Sequence, residues 1–267
     1  MRFTKLNSNW FVLIAVVVGI VIFAALAHAN GGQSHGGGAE NREPVLVELF
    51  TSEGCSDCPP ADALLARLDA TQFVPGAQVI VLSEHVTYWN YLGWRDPFSF
   101  EAMDERQQRY VMQFAIEGSY TPQVVVDGTE QAVGNDAAAV SRAVAHAAAT
   151  AKQKIAIENA RWVDGEVQFS VRGVAAPGET LIAALAEDAT HSEVARGENA
   201  GRTLHHVAVV RAIKELGTGL SDGRLVKLAG GALSKQDKGV GPVRLVVFLV
   251  QRRTGHVAAV TEEKLNR

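Results

Sequence analysis

The chain has 267 residues, 47% of them hydrophobic and 20% charged, with a formal net charge of −4 and only two cysteines. A mildly acidic balance argues against a nucleic-acid partner, which would need a basic face. Hydrophobic content of this size, without internal repeats, is that of a folded globular protein.

The first 29 residues read as a signal peptide. Arg2 and Lys5 form a positive n-region, 11–26 is uninterrupted apolar sequence, and Ala27-His28-Ala29 has the small-x-small form of a cleavage site. Export to the periplasm or the medium is the expectation. The alternative is an uncleaved anchor over 10–27, just long enough for a short span, and only then would the protein touch a membrane. Removing Arg2 and Lys5 takes the formal charge from −4 to −6. Residues 30–43, rich in Gly and polar side chains, cannot bury enough surface to fold and read as a flexible leader.

Residues 44–152 alternate strand and helix. Val45 to Phe50 reads as a buried strand, Ala61 to Leu68 as a helix with Leu64, Leu65 and Leu68 on one face, and Gln78 to Ser83 as a second buried strand. A helix is expected from Phe100 to Glu117, after Pro97. Thr121-Pro122 opens a strand over 123–126, Asp127-Gly128 turns it into a hairpin with 130–133, and Asn135 caps a last alanine-rich helix to about Thr150.

Both cysteines fall at the junction of the first strand and first helix, as Cys55-Ser56-Asp57-Cys58. At such a junction the first cysteine is expected to be exposed at a helix N-terminus, where the dipole and unpaired N–H groups favour the attacking thiolate. The second, one turn on, can resolve a mixed disulfide. A zinc site lacks its remaining ligands, since there is no second cysteine pair and no H-x3–5-H spacing among the eight histidines. A permanent structural bridge stays open as an alternative in an oxidising compartment, although so small a loop yields little chain-entropy benefit.

Four other positions have physical roles to test. Glu48, on a buried strand before the motif, would have a raised pKa suited to proton handling if no base is near, or it pairs with a Lys or Arg. His85 ends the second strand at the edge from which Cys55 departs, where active groups of open α/β sheets collect. It could stabilise a thiolate, join both sulfurs on a copper ion, or simply close the strand through a hydrogen bond. Trp89 belongs to a run with Tyr88, Tyr91 and Trp94 that either walls a peptide groove or packs on its own core with one ring exposed. Asp57 should oppose thiolate formation beside both sulfurs.

From 153 to 267 the pattern is β-rich. Strand-length segments at 155–160, 166–172, 180–187, 203–214 and 243–251 are separated by Asp164-Gly165, Pro177-Gly178 and Thr254-Gly255 turns. This reads as an antiparallel β-sandwich-like domain, or a sheet packed on the first. Arg202, His205 and His206 could face the dithiol, or 197–204 is an ordered loop.

The order β-α-β-α-β-β-α, with C-x-x-C after the first strand and Thr121-Pro122 before the third, resembles the thioredoxin superfamily. The resemblance implies a thioredoxin-like fold for 44–152, a cis Pro122 against the dithiol, and a substrate polypeptide bound beside Thr121 and Pro122; His85, from its sheet edge, and Trp89, from the aromatic run, are the further candidates for that substrate site. It also implies a buried acid serving the resolving cysteine, for which Glu48 is the candidate, one residue further from the motif than usual. The segments 47–55, Cys58-Pro59-Pro60-Ala61-Asp62, His85 with Tyr88-Trp89, 91–94, 96–98, 120–123 and Gly197-Glu198-Asn199-Ala200-Gly201-Arg202-Thr203-Leu204 are similar to the bacterial DUF1223 family of exported thioredoxin-like proteins. The expectation is an exported thiol-disulfide oxidoreductase acting on protein thiols or disulfides through Cys55 and Cys58, without cofactor or metal. The alternatives are a binding module with an inert disulfide and a copper-handling protein using Cys55, Cys58 and His85.

Overall fold

Strand β1 (Glu43–Thr51) is buried from Val45 to Thr51 without alternation, as befits a central strand covered on both faces. It lies between β2 (Ala77–His85), to which it runs parallel, and β3 (Gln123–Val126), to which it is antiparallel. The computed structural model describes residues 42–173, 175–218, 225–229 and 242–266. The expected signal peptide and most of the expected leader lie outside the described residues. Arg42, near the end of that leader, already joins the fold by donating from Nη1 to the carbonyls of Gln72 and Ala77.

Helix α1 (Pro59–Thr71) follows β1, with Pro at its first two positions and Cys58 as its N-cap. Helix α2 (Glu101–Phe114) follows β2 and a short 3-10 helix (Asn90–Leu92). The hairpin of β3 with β4 (Glu130–Val133) turns through Asp127 (φ 46°) and Gly128 (φ 67°), both in the left-handed region that Asp-Gly tolerates. Helix α3 (Ala137–Ala148) is capped one residue later than expected, because Asp136 rather than Asn135 accepts from the N–H groups of Ala138 and Ala139.

After α3 come β5 (Ala156–Val163), β6 (Glu166–Arg172), β7 (Glu179–Glu193), β8 (Thr203–Gly217), β9 (Val226–Ala229), β10 (Val243–Gln251) and β11 (Val257–Leu265). The short β9 and β11, whose second half carries Glu262, Glu263 and Lys264, are absent from the sequence reading. Four of these strands extend the first sheet, in the order β11-β10-β7-β8-β2-β1-β3-β4, while β5-β6-β9 form a second sheet. The junction is a parallel pairing at Ser83 and Val209. The fold is therefore mixed α/β with a large, mostly antiparallel sheet and, among the described residues, three α-helices. The sequence boundary at 152/153 is no boundary in the sheet, because β8 covers the edge of β2 that would otherwise stay unpaired. Residues from Arg42 onward form one compact unit.

The sandwich-like arrangement is confined to one end. Val167, Phe169 and Val171 of β6 and Val226 and Leu228 of β9 pack on Leu181, Ala183 and Leu185 of β7 and on the odd-numbered residues of β10. Two buried charged groups tie distant parts together. Lys152 Nζ lies 2.7 Å from Asp127 Oδ2, and Asp127 Oδ1 accepts from the Leu46 N–H. Arg244 of β10 grips Asp69 of α1 with two N–H···O bonds of 2.6 and 2.7 Å and also bonds Asp188.

Candidate functional site

Cys55 and Cys58 form a disulfide, with Cα atoms 5.4 Å apart. Contrary to the expected exposed first cysteine, Cys55 is 1% and Cys58 0% exposed, and only Ser56 and Asp57 between them face solvent. The cover is the loop between β7 and β8. Asn199, itself buried, donates from Nδ2 to the carbonyls of both Glu53 and Cys55 at 2.9 Å, and Glu198 Oε2 accepts from the Ser56 N–H. The loop is held in a tight fold by Gly201 N–H to Val194 O and Val194 N–H to Arg202 O. This explains the Gly197-to-Leu204 motif as a clasp over the dithiol. Beside it, Ser56, Pro59, Pro60, Arg202, Thr203 and Leu204 line an open groove of about 280 Å³.

Beneath the clasp lies a buried network of acids and histidines. Asp62, one turn after Cys58 on α1, accepts from Thr51 Oγ1 and has Oδ1 3.6 Å from His206 Nδ1. His206 Nε2 is 3.2 Å from Glu53 Oε1, and Glu53 Oε2 accepts from Trp94 Nε1 at 2.7 Å. Burial alone would lower the His206 pKa, but the carboxylates of Asp62 and Glu53 outweigh it and push it up to about 10. The imidazolium therefore sits between two carboxylates. The His85 ring stands edge-on to His206 at 4.6 Å, and its Nδ1 is 2.7 Å from Asp96 Oδ2. Burial would raise the Asp96 carboxyl, yet His85 and the N–H groups of Glu53 and Phe98 hold it below the ordinary carboxylate range. An ionised Asp96 requires the His85 Nδ1 to carry the proton it faces.

The sequence candidates divide accordingly. Thr121, Pro122 and Trp89 come together: Trp89 Nε1 donates to Thr121 Oγ1 at 2.8 Å, and the Trp89 Cβ lies against Gly54, where an added Cβ would meet it at 3.0 Å. The Thr121–Pro122 bond is cis. Pro122 shares the space around Gly134 with Ala61 of α1. His85 does not face that group; it is fully buried and closes β2 through Asp96, with Phe98 and His206 against its ring. In the aromatic run Tyr91 is the exposed ring, at 82%, while Tyr88, Trp89 and Trp94 pack inward.

Glu48 is placed on the other side. Alternation along β1 sends Thr51 to Asp62 on the α1 face and Glu48 to α2, where it accepts from Arg106 Nε and from Tyr110 Oη, each at 2.5 Å. The paired-acid alternative is what the structure contains, so Glu48 is not beneath Cys58. Glu84 shares this cluster, and burial followed by repulsion from Glu48 raises its carboxyl well above the usual range. The acids that do form the buried network with the histidines, Glu53, Asp62 and Asp96, appear in the sequence only as parts of motifs. The one local signal is Asp62 at four residues from Cys58, the spacing that stacks side chains on a helix. Among the described residues no group of three or more His, Cys, Asp or Glu is arranged to hold a metal ion, and no helix is long and apolar enough to cross a membrane.

Comparison with solved structures finds bacterial proteins of similar fold. A crystal structure of a protein from Agrobacterium tumefaciens is 25% identical, covering 85% of this chain and 96% of that one, with a TM-score of 0.61. HBP35 of Porphyromonas gingivalis, at 15% identity and a TM-score of 0.54 over 84% of this chain and 76% of that one, shares the fold. A search of the curated proteins finds no match. The family model described as "Protein of unknown function (DUF1223)" matches residues 46–249, most of the chain, and the protein belongs to that family.

Proposed function

We propose that the protein is an exported thiol-disulfide oxidoreductase whose N-terminal part is thioredoxin-like and whose Cys55–Cys58 pair exchanges with protein thiols or disulfides. One observation carries the reading: the disulfide closes at the N-terminus of α1, where Asp62, one helical turn from Cys58, is paired with the buried His206. The element order and Thr121-Pro122 support the thioredoxin-like part, and residues 1–29 support export.

In the oxidising direction a partner thiolate attacks Cys55 Sγ, the intramolecular S–S bond breaks, and Cys58 leaves as a thiolate that takes up a proton. A second partner thiolate then attacks the partner sulfur of the mixed disulfide and releases Cys55. Two electrons pass from the partner, which gains a disulfide, to the pair, which becomes a dithiol; the reverse sequence reduces a partner. The α1 N-terminus favours the thiolates. His206 offsets the Asp62 carboxylate, so the departing Cys58 does not face an uncompensated negative charge one turn away.

A second reading, a binding module with an inert disulfide, is favoured by the burial of both cysteines under Asn199. Copper handling would need the reduced pair together with His85, whose Nδ1 is engaged by Asp96. Equilibration with glutathione buffers decides between exchange and inertness. A potential between about −120 and −270 mV supports the oxidoreductase, and a bridge that stays closed below about −300 mV in folded protein supports the binding module.

A further inference from the structure

On the α2 face of the sheet, away from the dithiol, a cavity of about 510 Å³ opens between α2 and the turn that joins β10 to β11. That volume is within the range of small-molecule sites. We infer that it binds a small organic anion with an apolar body, such as a medium-chain carboxylate or alkyl phosphate. The inference is independent of the redox reading.

The charge at this site opposes that of the whole chain. Arg109, Arg252 and Arg253 converge on the cavity in a protein whose formal net charge is −4. Arg252 is steadied by Thr180 Oγ1 at 2.6 Å and lies 3.6 Å from Glu215, the one acidic wall residue of the cavity among the described residues. Arg106, at the base, is already neutralised by Glu48. Arg109 and Arg253 make no hydrogen bond or ion pair among the described residues, Arg109 having only the longer-range attraction of the buried Glu84, so their guanidinium N–H groups remain available to a ligand. These two guanidinium groups suit a carboxylate or phosphate head, which they can bind through paired N–H donors.

The wall also carries apolar side chains. Ile182 and Val250 of the sheet face the cavity, and Met112, 72% exposed, flanks it from α2. The two sides are fixed relative to each other, because Gly255 (φ 72°) brings the turn's backbone directly onto the Gln113 side chain and Gln113 donates to the Gly128 carbonyl. The cavity therefore exists before a ligand arrives, which limits the ordering cost of binding.

Isothermal titration of the purified protein with hexanoate, octanoate, octyl phosphate and inorganic phosphate tests this. Saturable one-to-one binding of octanoate or octyl phosphate is expected, with octanoate about tenfold tighter than hexanoate because of its two further buried methylenes. Whichever head binds more tightly identifies the carboxylate or phosphate source. An Arg109→Glu/Arg253→Glu variant should lose at least about tenfold in affinity, while Arg142→Glu, on exposed α3 surface, should not. Circular dichroism confirms that both variants remain folded. No saturable binding of either amphiphile, equal losses in both variants, or inorganic phosphate binding as tightly as octyl phosphate would overturn the inference.

Discussion

His206 Nδ1 lies 3.6 Å from Oδ1 of Asp62, and Asp62 follows Cys58 by one turn of α1. A strand that comes more than a hundred residues after the C-x-x-C thereby brings a buried positive charge to the acids that flank it in sequence, Glu53 and Asp62. Burial opposes this charge, and Asp62 and Glu53 sustain it, with the histidine pKa pushed up to about 10. A group whose folded pKa lies above its unfolded value stabilises fully below the unfolded pKa, near 6.5 for histidine, and that contribution is lost as pH rises through the folded value. Wild-type stability should fall between about pH 6.5 and 10, with a slope from this group of at most about 1.4 kcal/mol per pH unit. Urea titrations across that window should show a flatter dependence for His206→Gln. An unchanged slope would remove the imidazolium from the network.

The order of the cysteines predicts their roles. Cys58→Ser should accumulate mixed disulfides through Cys55 with exported proteins, and Cys55→Ser should not, because Cys55 comes first at the helix start whereas Cys58 is the N-cap of α1. Non-reducing gels of cells expressing each variant read this directly. Equal trapping by both would defeat the assignment.

Asn199 predicts a gate. Its side chain spans the carbonyls of Glu53 and Cys55 over a disulfide with almost no exposed surface, so a reductant meets the sulfurs only when the clasp lifts. Asn199→Ala removes two buried hydrogen bonds, each contributing about 1 kcal/mol, and should speed reduction by dithiothreitol about tenfold or more. Thiol release followed over time measures it. A wild-type rate in the variant would show that the clasp is not the barrier.

Arg244 predicts a stability effect far from the site. It is buried at 2% exposure and bonds Asp69 of α1 and Asp188 within β7, joining the helix that carries the dithiol to the late strands. Arg244→Ala should destabilise by about 3 kcal/mol, the lower end for a broken buried pair, because the stranded carboxylates still reach water. A fall in the urea midpoint with an unchanged m-value would record it.

The local elements were legible because their signals are local. The apolar run 45–50, the Asp127-Gly128 turn and the paired prolines at the start of α1 each act within a few residues, and β3, β4, β6 and β10 fall where the pattern puts them. The position of Cys55 and Cys58 at a strand-to-helix junction follows from the same short-range chemistry. Alternation alone could not say which helix Glu48 would meet; that depended on α2 carrying Arg106 and Tyr110 to the other face of β1. Nor could it join the late strands to the first sheet, since β8 contacts β2 through a parallel pairing between residues far apart in sequence. That pairing brings His206 under α1 and the Asn199 clasp over the disulfide, so the burial of the cysteines and the charge beneath them were decided only when the chain closed on itself.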